Sequence, residues 1–507
     1  MTPIVPRLLG NEARGPSRST STKLRGDAMA LDPKFAAALA LHRFGFGPVP
    51  GAIAAIADDP RGALLAELER PGAGQVAAAN LPNSAQAGQA VAEYRAEQMA
   101  RQKLAQQATP QAPAGTGNTP AMNPEAGAQA GGQPPAANGK NQQPALPLRL
   151  VQNEAQVRIE AALSSQIGFV ERLVWFWSNH FCVSNNRFVA IAGSYEREAI
   201  RPHVLGRFVD MLIAAESHPA MLYYLDNAFS IGPHSVAGIN RNRGINENLA
   251  REALELHTLG VRTGYSQADV TSFANVLTGW TFTNTGAALH GGEFVFFRRF
   301  HDPVEQIVMG ARYADTGFEQ GRAVFADLAA HPATARHIAR KLAVHFVADE
   351  PPQTLVDKLV ERFTVSDGDL KEVAKALISA DESWTPARTK LKRPFDWHVG
   401  ALRLAGGRGI VARFMGAQAL LGEPMWRPPG PNGFPEHESA WIDGLAQRAD
   451  IANTFAGRVA ERLDPVALID DGLGPLASAE TREAVARAGN RTQALTLLLM
   501  APEFLRR

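Results

Sequence analysis

The chain of 507 residues has nearly balanced charge, with 51 lysines and arginines, 50 aspartates and glutamates, and a net charge of +1. This balance gives no global electrostatic reason to expect nucleic acid or an acidic membrane surface as a partner. A single cysteine, Cys182, excludes an intramolecular disulfide.

Residues 1–28 contain five lysines and arginines and no apolar run of signal-peptide length. We interpret them as a disordered basic leader. With no export signal and no membrane span expected from the sequence, a cytoplasmic location is predicted.

Residues 29–107 are predicted to form an N-terminal helical part of the domain. Asp32-Pro33 and Asp59-Pro60 each combine an N-cap residue with proline at the first helical position. "SAQAGQAVAEYRAEQMARQKLAQQ" is a further polar, alanine-rich helix candidate.

Residues 108–147 are rich in Pro, Gly, Gln, Asn and Ala and contain no Ile, Val, Phe, Tyr or Trp. Such a segment cannot bury enough apolar surface to fold. It is predicted to be a disordered insertion that acts as a flexible tether.

Residues 148–507 are predicted to be the main helical domain. "FVERLVWFWSNHF" is apolar on every side, and "LGRFVDMLIAAE" has apolar residues at helical spacing. "EFVFFRRF" is the one strong strand or hairpin candidate. The predicted fold class is therefore mainly α: a multi-helix globular protein with a short β-hairpin and a disordered insertion.

The segment "NENLAREALELHTLG", residues 246–260, is predicted to be one amphipathic helix in which Glu252 interrupts a leucine stripe. Asn248 and Glu255 lie on the same face of such a helix. An isolated buried carboxylate costs several kcal/mol unless it is hydrogen-bonded, ion-paired, metal-bound or protonated. A compensating partner for Glu252 is therefore expected.

Three partners remain open: a proton, an arginine or a metal ion. Arg201 or Arg197 offers a planar guanidinium that can bridge two carboxylates. A divalent metal ion is the weaker possibility, with oxygen ligands from the helix completed by His180 or His301.

Several other polar residues have a functional and a structural interpretation. His257 is not favoured as a co-ligand because it points about 140° from Glu252 on an α-helix. His180 is a buried histidine, favoured as a core imidazole over a ligand or general base. Asp226 is favoured as a turn residue. A basic stripe is favoured as a solvated helix face; its members are Arg336, His337, Arg340 and Lys341.

The leading functional hypothesis is a hydrolase-like enzyme with a buried polar site made of Asn248, Glu252, Glu255, His180 and Arg201. The carboxylates would act as general base or metal ligands, and the arginine as an anion or oxyanion clamp. Familiar signatures such as HExxH, CxxC, GxSxG and the P-loop are absent from the sequence.

From about Leu41 onward the chain contains, in this order, the motifs "LHRFGFGP", "FWSNHF", "YEREAIRPHVLGRF", "HPAMLYYLDN", "NENLAREALELHTLG", "VLTGW", "HPATARHIARKLAVHFV" and "PNGFP". In these motifs the chain resembles a bacterial family known as domain of unknown function 1800.

The resemblance implies a bacterial source and a genomic neighbour that looks like an alkaline phosphatase or sulfatase and often carries a twin-arginine export signal. The alternative function is thus a non-catalytic binding or accessory protein of such a partner. The matching alternative location is the periplasm, after export in the folded state with that partner.

Overall fold

The computed structural model describes residues 31–77, 80–108, 144–184, 190–239, 244–283, 292–407 and 411–507, with the backbone alone at 108, 411 and 412. The predicted leader and most of the predicted insertion lie outside these residues. Helix formation begins again at Leu146, so the last two residues of the predicted insertion are helical.

The first half of the chain contains eleven α-helices among the described residues. They are α1 (Pro33–Arg43), α2 (Ala52–Ile56), α3 (Pro60–Leu68), α4 (Ser84–Ala108), α5 (Leu146–Ser164), α6 (Phe169–His180), α7 (Ala192–Tyr195), α8 (Phe208–Ser217), α9 (Pro219–Tyr224), α10 (Asn248–Glu252) and α11 (Gln267–Val276). Two π-helical turns, Glu196–Ile200 and Ala253–His257, continue α7 and α10.

Eleven further α-helices are described in the second half. They are α12 (Phe318–Ala330), α13 (Pro332–Phe346), α14 (Gln353–Val365), α15 (Leu370–Ser379), α16 (Pro394–Leu404), α17 (Val411–Leu420), α18 (Leu445–Val459), α19 (Ala467–Gly472), α20 (Ala479–Ala486), α21 (Arg491–Leu499) and α22 (Pro502–Leu505). None of the helices in the described ranges is long and apolar enough to cross a membrane.

Two antiparallel hairpins separate α11 from α12. Strands β1 (Trp280–Phe282) and β2 (Phe294–Phe296) pair with Thr281 opposite Val295, and β3 (Gln306–Val308) pairs with β4 (Ala311–Tyr313). The predicted strand in "EFVFFRRF" is β2, whereas the second hairpin was not predicted. The mainly α fold class is confirmed: 62% of the described residues are helical, and two sheets of two strands each occur among them.

Local capping explains where several helices begin. The Asp59 side chain accepts from Gly62 N at the start of α3, and Ser266 and Asp269 form a reciprocal capping box at the start of α11. These side chains satisfy backbone N–H groups that have no partner within the helix. The start of α3 at Asp59-Pro60 agrees with the sequence prediction.

Helix α6 lies inside the core, as its apolar sequence predicts. The Phe169 ring is 5.2 Å from that of Phe346 in α13, and the Trp177 ring is 5.7 Å from that of Phe208 in α8. The last residue of α6, His180, is consequently buried between these helices and the π-helical turn Ala253–His257. This packing positions the candidate site.

Arginine side chains join the N-terminal helices to the second half of the chain. Arg43 donates to the Ser383 carbonyl at 2.9 Å, and Arg403 donates to the Gly47 carbonyl at 2.9 Å. Both arginines are buried, and each donates to several further backbone carbonyls, which offsets the cost of removing charge from water. The chain from Pro33 to Arg507 forms one compact unit.

Candidate functional site

The predicted helix over 246–260 is not a single α-helix. After five residues of α10, the chain changes to the π-helical turn Ala253–His257, and the Thr258 hydroxyl donates to the Ala253 carbonyl at 2.6 Å. In a π-helix the hydrogen bonds join residues five apart, so the direction of each side chain differs from that on an α-helix. The unbroken α-helix from which the angle of about 140° between Glu252 and His257 was calculated is therefore not present.

His257 forms a buried pair with Glu216, which is on the last turn of α8. The His257 Nδ1 atom lies 2.5 Å from Glu216 Oε1, and the side chains are 1% and 0% exposed. A carboxylate accepts hydrogen bonds, so Nδ1 carries the hydrogen. The Nε2 atom of His257 is buried and has no hydrogen-bond partner within the described residues. In the neutral ring with hydrogen on Nδ1, Nε2 is the nitrogen that can accept a proton.

His180 connects this pair to a lysine. Its Nδ1 atom lies 2.8 Å from Lys341 Nζ, and its Nε2 atom lies 3.1 Å from the His257 carbonyl oxygen. A lysine ammonium group only donates, so Nδ1 accepts and Nε2 donates to the carbonyl. Burial, followed by the charge of Lys341, lowers the pKa of His180 far below its ordinary value. His180 is therefore neutral near pH 7.

Glu216, His257 and His180 together form what we call the histidine cluster. Lys341 and His337 face this cluster from α13. Burial lowers the pKa of Lys341 to about 8. Burial and the charge of Lys341 lower the pKa of His337 to about 4, and its Nε2 atom lies 3.0 Å from the Leu256 carbonyl oxygen. The interpretation of the basic stripe as a solvated face holds for exposed Arg336 and Arg340 only.

Cys182 borders the same region without being an activated nucleophile. Burial raises the pKa of its thiol to about 12. The Sγ atom is 3.2 Å from the Pro431 carbonyl oxygen, to which the thiol donates. A thiolate mechanism is therefore unsupported, since nucleophilic cysteines have a lowered pKa.

Glu252 lies at the border of the cluster and is half-buried, not fully in the core. Burial raises its pKa, while nearby His257 lowers it and Glu255 raises it. Glu255 is half-buried as well, and its carboxylate is 3.9 Å from Arg251 and accepts a hydrogen bond from Tyr265. Asn248 is exposed. The structure brings Glu252 near His257, but it does not gather Asn248, Glu252 and Glu255 into a buried site.

Neither predicted arginine is the partner of Glu252. Arg201 lies in a different buried cluster, with its guanidinium 2.6 Å from Glu171 and 3.0 Å from Glu196. Arg197 pairs with Glu154 at 2.8 Å. The sequence offered these arginines as bridging cations for Glu252, but α5, α6 and the π-helical turn Glu196–Ile200 already supply their carboxylates.

Other expectations have clear structural outcomes. His301 is bound by the Thr278 carbonyl and by Asp315, away from the proposed ligand set. Asp226 has the left-handed backbone conformation of a turn residue, with φ of 60°.

The donor set does not form a metal site in the described ranges. No group of three or more His, Cys, Asp or Glu side chains within them is placed to hold a metal ion. At the Glu216–His257 pair, one carboxylate oxygen and one imidazole nitrogen are buried without a partner. This arrangement matches a carboxylate–imidazole base, in which the carboxylate fixes the tautomer.

Sequence reasoning missed Glu216, His257 and Lys341. Glu216 carries the same signal as Glu252: it follows Leu212 by four residues on the apolar stripe of α8. Such a carboxylate on a buried face predicts a partner, and the partner is His257. Lys341 had no comparable signal, because helical spacing alone does not tell which side of α13 is covered.

The fold and the site together define a mainly helical protein with a buried acid–base cluster at the meeting point of α6, α8, α13 and the π-helical turn. The chain belongs to the family described as protein of unknown function (DUF1800), whose model matches residues 39–506. Comparison with curated proteins gave no match, and neither did comparison with solved structures.

The lowered pKa of His337 predicts acid sensitivity. The folded protein keeps this ring neutral down to about pH 4, whereas the unfolded chain binds the proton near pH 6.5, so stability falls as pH decreases through this window. His337→Gln retains a donor for the Leu256 carbonyl but does not titrate. Thermal-unfolding midpoints measured across this window should fall less steeply for the variant; equal slopes would contradict the assignment.

Proposed function

We propose that the protein is a hydrolase-like enzyme in which His257 is the general base. The observation that carries the proposal is the state of its ring: Nδ1 is fixed by Glu216 at 2.5 Å, and Nε2 is buried without a partner in the described structure. A base of this kind accepts a proton from water, and the resulting hydroxide attacks the substrate. Glu216 then stabilises the imidazolium.

Lys341 is the proposed acid or oxyanion clamp, in the role that the sequence assigned to Arg201. Its ammonium group is held by His180 at 2.8 Å, and a pKa of about 8 keeps it protonated near neutral pH. An acid with a pKa close to the working pH transfers its proton efficiently to a leaving group. His180 is a positioning residue in this proposal, since it holds both Lys341 and the His257 carbonyl.

A substrate can reach His257 only if the side chains that cover it move. His257 is 1% exposed, whereas Glu252, His337 and Lys341 are half-buried beside it. These three side chains are the solvent-facing border of the cluster, so substrate would enter between them and exclude water as it binds. The π-helical turn supports a functional interpretation, because π-helical turns occur frequently at functional sites.

The proposal predicts that His257→Asn loses activity against chromogenic carboxylic esters or phosphoesters. Asparagine can still donate to Glu216 from the position of Nδ1, but it has no equivalent of Nε2. We expect kcat to fall by about 10²- to 10⁴-fold. Initial rates with both substrate classes would measure the effect, alongside thermal unfolding to verify folding.

His331→Asn is the matched control. The His331 Nδ1 atom accepts from Ala333 N at the start of α13, and asparagine can replace it as an N-cap. This variant should keep wild-type rates. Full activity of folded His257→Asn would refute the role of the base, as would the absence of turnover of both substrate classes by the wild type.

The role of Lys341 predicts an alkaline limb in the pH profile. Because its pKa is about 8, kcat/KM should fall as pH rises through 8 and the ammonium group loses its proton. Lys341→Arg should move this limb to higher pH, since guanidinium stays protonated. An unchanged limb in Lys341→Arg would assign the titration to another group.

A second candidate function is an accessory protein of a phosphatase- or sulfatase-like partner. The observation that favours it is an apolar loop surface formed by Phe229, Val236, Ile239 and Phe297, which are 47%, 67%, 69% and 43% exposed. Hydrogen bonds such as Ala237 N to the Arg299 carbonyl hold the two loops together. Clustered exposed apolar side chains are typical of interaction sites.

Mixing the full chain with a purified phosphatase- or sulfatase-like protein distinguishes the enzymatic function from the accessory function. The accessory function predicts a complex in analytical ultracentrifugation that is lost in the double variant Val236→Glu, Ile239→Glu and retained in His257→Asn. Val365→Glu, at a residue on α14 that is 74% exposed, is the control and should still bind. A complex that survives the double variant would exclude this surface.

A further inference from the structure

A second feature, independent of the histidine cluster, is an open pocket of about 420 Å³ between α16, α17 and α18. Its volume lies in the range of pockets that hold small molecules. Its wall is mainly apolar and includes Leu402, Phe414, Leu420, Ile451, Phe455 and Val459. An apolar concave surface of this size is favourable for an apolar ligand body.

His398 supplies a polar group within this wall. It is 7% exposed, its ring stacks on Phe414 with centroids 4.4 Å apart, and its Nδ1 atom lies 2.9 Å from Gln418 Nε2. The Gln418 amide also donates to the Pro394 carbonyl, which fixes the orientation of the amide. Nδ1 therefore accepts, and Nε2 carries the hydrogen.

The Nε2–H group of His398 has no acceptor among the described residues, although His398 lines the pocket. A donor that lines a pocket and has no acceptor within the described residues is available to an oxygen acceptor on a ligand. Burial lowers the pKa of His398 to about 4, so the ring is neutral near pH 7 and donates without charge.

The charged residues that line the pocket are two arginines and one acid. Arg413 on α17 and Arg458 on α18 are exposed, and Asp450 lies two turns before Arg458. None of the three has an ion pair with another described residue. The excess of one positive charge favours an anionic headgroup over a cationic one.

We propose that this pocket binds a small amphipathic monoanion. The apolar body occupies the pocket, an oxygen acceptor on that body accepts from His398 Nε2–H, and the anionic group lies between Arg413 and Arg458. The proposal does not depend on the acid–base function of the histidine cluster, and it assigns the pocket a ligand class of its own.

Calorimetric titration of the full chain with dodecanoate, dodecanol and dodecylammonium tests the charge preference. Dodecanoate should bind at least about tenfold more tightly than the other two. Arg458→Gln should remove this preference, and Arg462→Gln, an exposed arginine outside the pocket, should retain it. Equal affinity for all three probes, or tighter binding of dodecylammonium, would overturn the proposal.

Ala417→Trp tests the location, because this residue lines the pocket. The variant should lose dodecanoate binding, whereas Ala419→Trp, at an exposed position of the same helix, should keep it. Thermal unfolding of both variants verifies that the fold is retained. Binding that survives in Ala417→Trp would place the ligand elsewhere.

A series of oxododecanoates, with the ketone at successive carbons, tests the role of His398. At least one isomer should bind about tenfold more tightly than dodecanoate, as expected for one added hydrogen bond to a buried donor. This gain should disappear in His398→Phe, which keeps the stacked ring. No gain for any isomer, or an equal gain in the variant, would overturn the assignment of the donor.

Discussion

The site depends on the hydrogen bond between Glu216 and His257. Both side chains are fully buried, so each needs the other to offset the loss of water. The pair fixes α8 against the π-helical turn, and the His180 ring then donates to the carbonyl of the same histidine. The position of the Lys341 ammonium group depends on this placement, because it donates to the remaining nitrogen of His180.

Buried charge elsewhere follows the same rule of pairing. Arg201 lies between Glu171 and Glu196, and Arg393 contacts both Glu423 and Glu436. Arg201 and Arg393 thus each have two carboxylate partners. In the histidine cluster the Nε2 atom of His257 and one oxygen of Glu216 have no partner in the described ranges. Buried arginine nitrogens without a partner, such as Arg158 Nε, only donate, whereas the Nε2 atom of a neutral His257 can accept a proton.

Much of the fold was predictable, because helix caps and apolar periodicity are local properties. Pro33 and Asp59 mark helix starts that the structure confirms. The second hairpin and the interruption of 246–260 were not predictable in this way. A π-helical turn contains ordinary helix-forming residues, and its extra residue per turn is stabilised by packing and by the Thr258 hydroxyl.

The candidate site was predictable only in part, for physical reasons. His180 was recognised by its apolar surroundings, and Glu252 by its position on a leucine stripe. The partners of buried carboxylates come from distant segments, however, so Arg201 was assigned to Glu252 although Glu171 and Glu196 hold it. The direction predicted for His257 assumed an α-helix, whereas the chain forms a π-helical turn there. These errors concern contacts and angles that only the tertiary structure defines.

The most direct test of the account is the protonation state of His257. Nitrogen NMR of the histidine rings near neutral pH, assigned with His257→Asn, distinguishes the two nitrogens of each ring. The account predicts a neutral His257 with hydrogen on Nδ1 and a basic Nε2, and a loss of this preference in Glu216→Gln. Hydrogen on Nε2 alone, or on both nitrogens, would contradict the assignment of His257 as the general base.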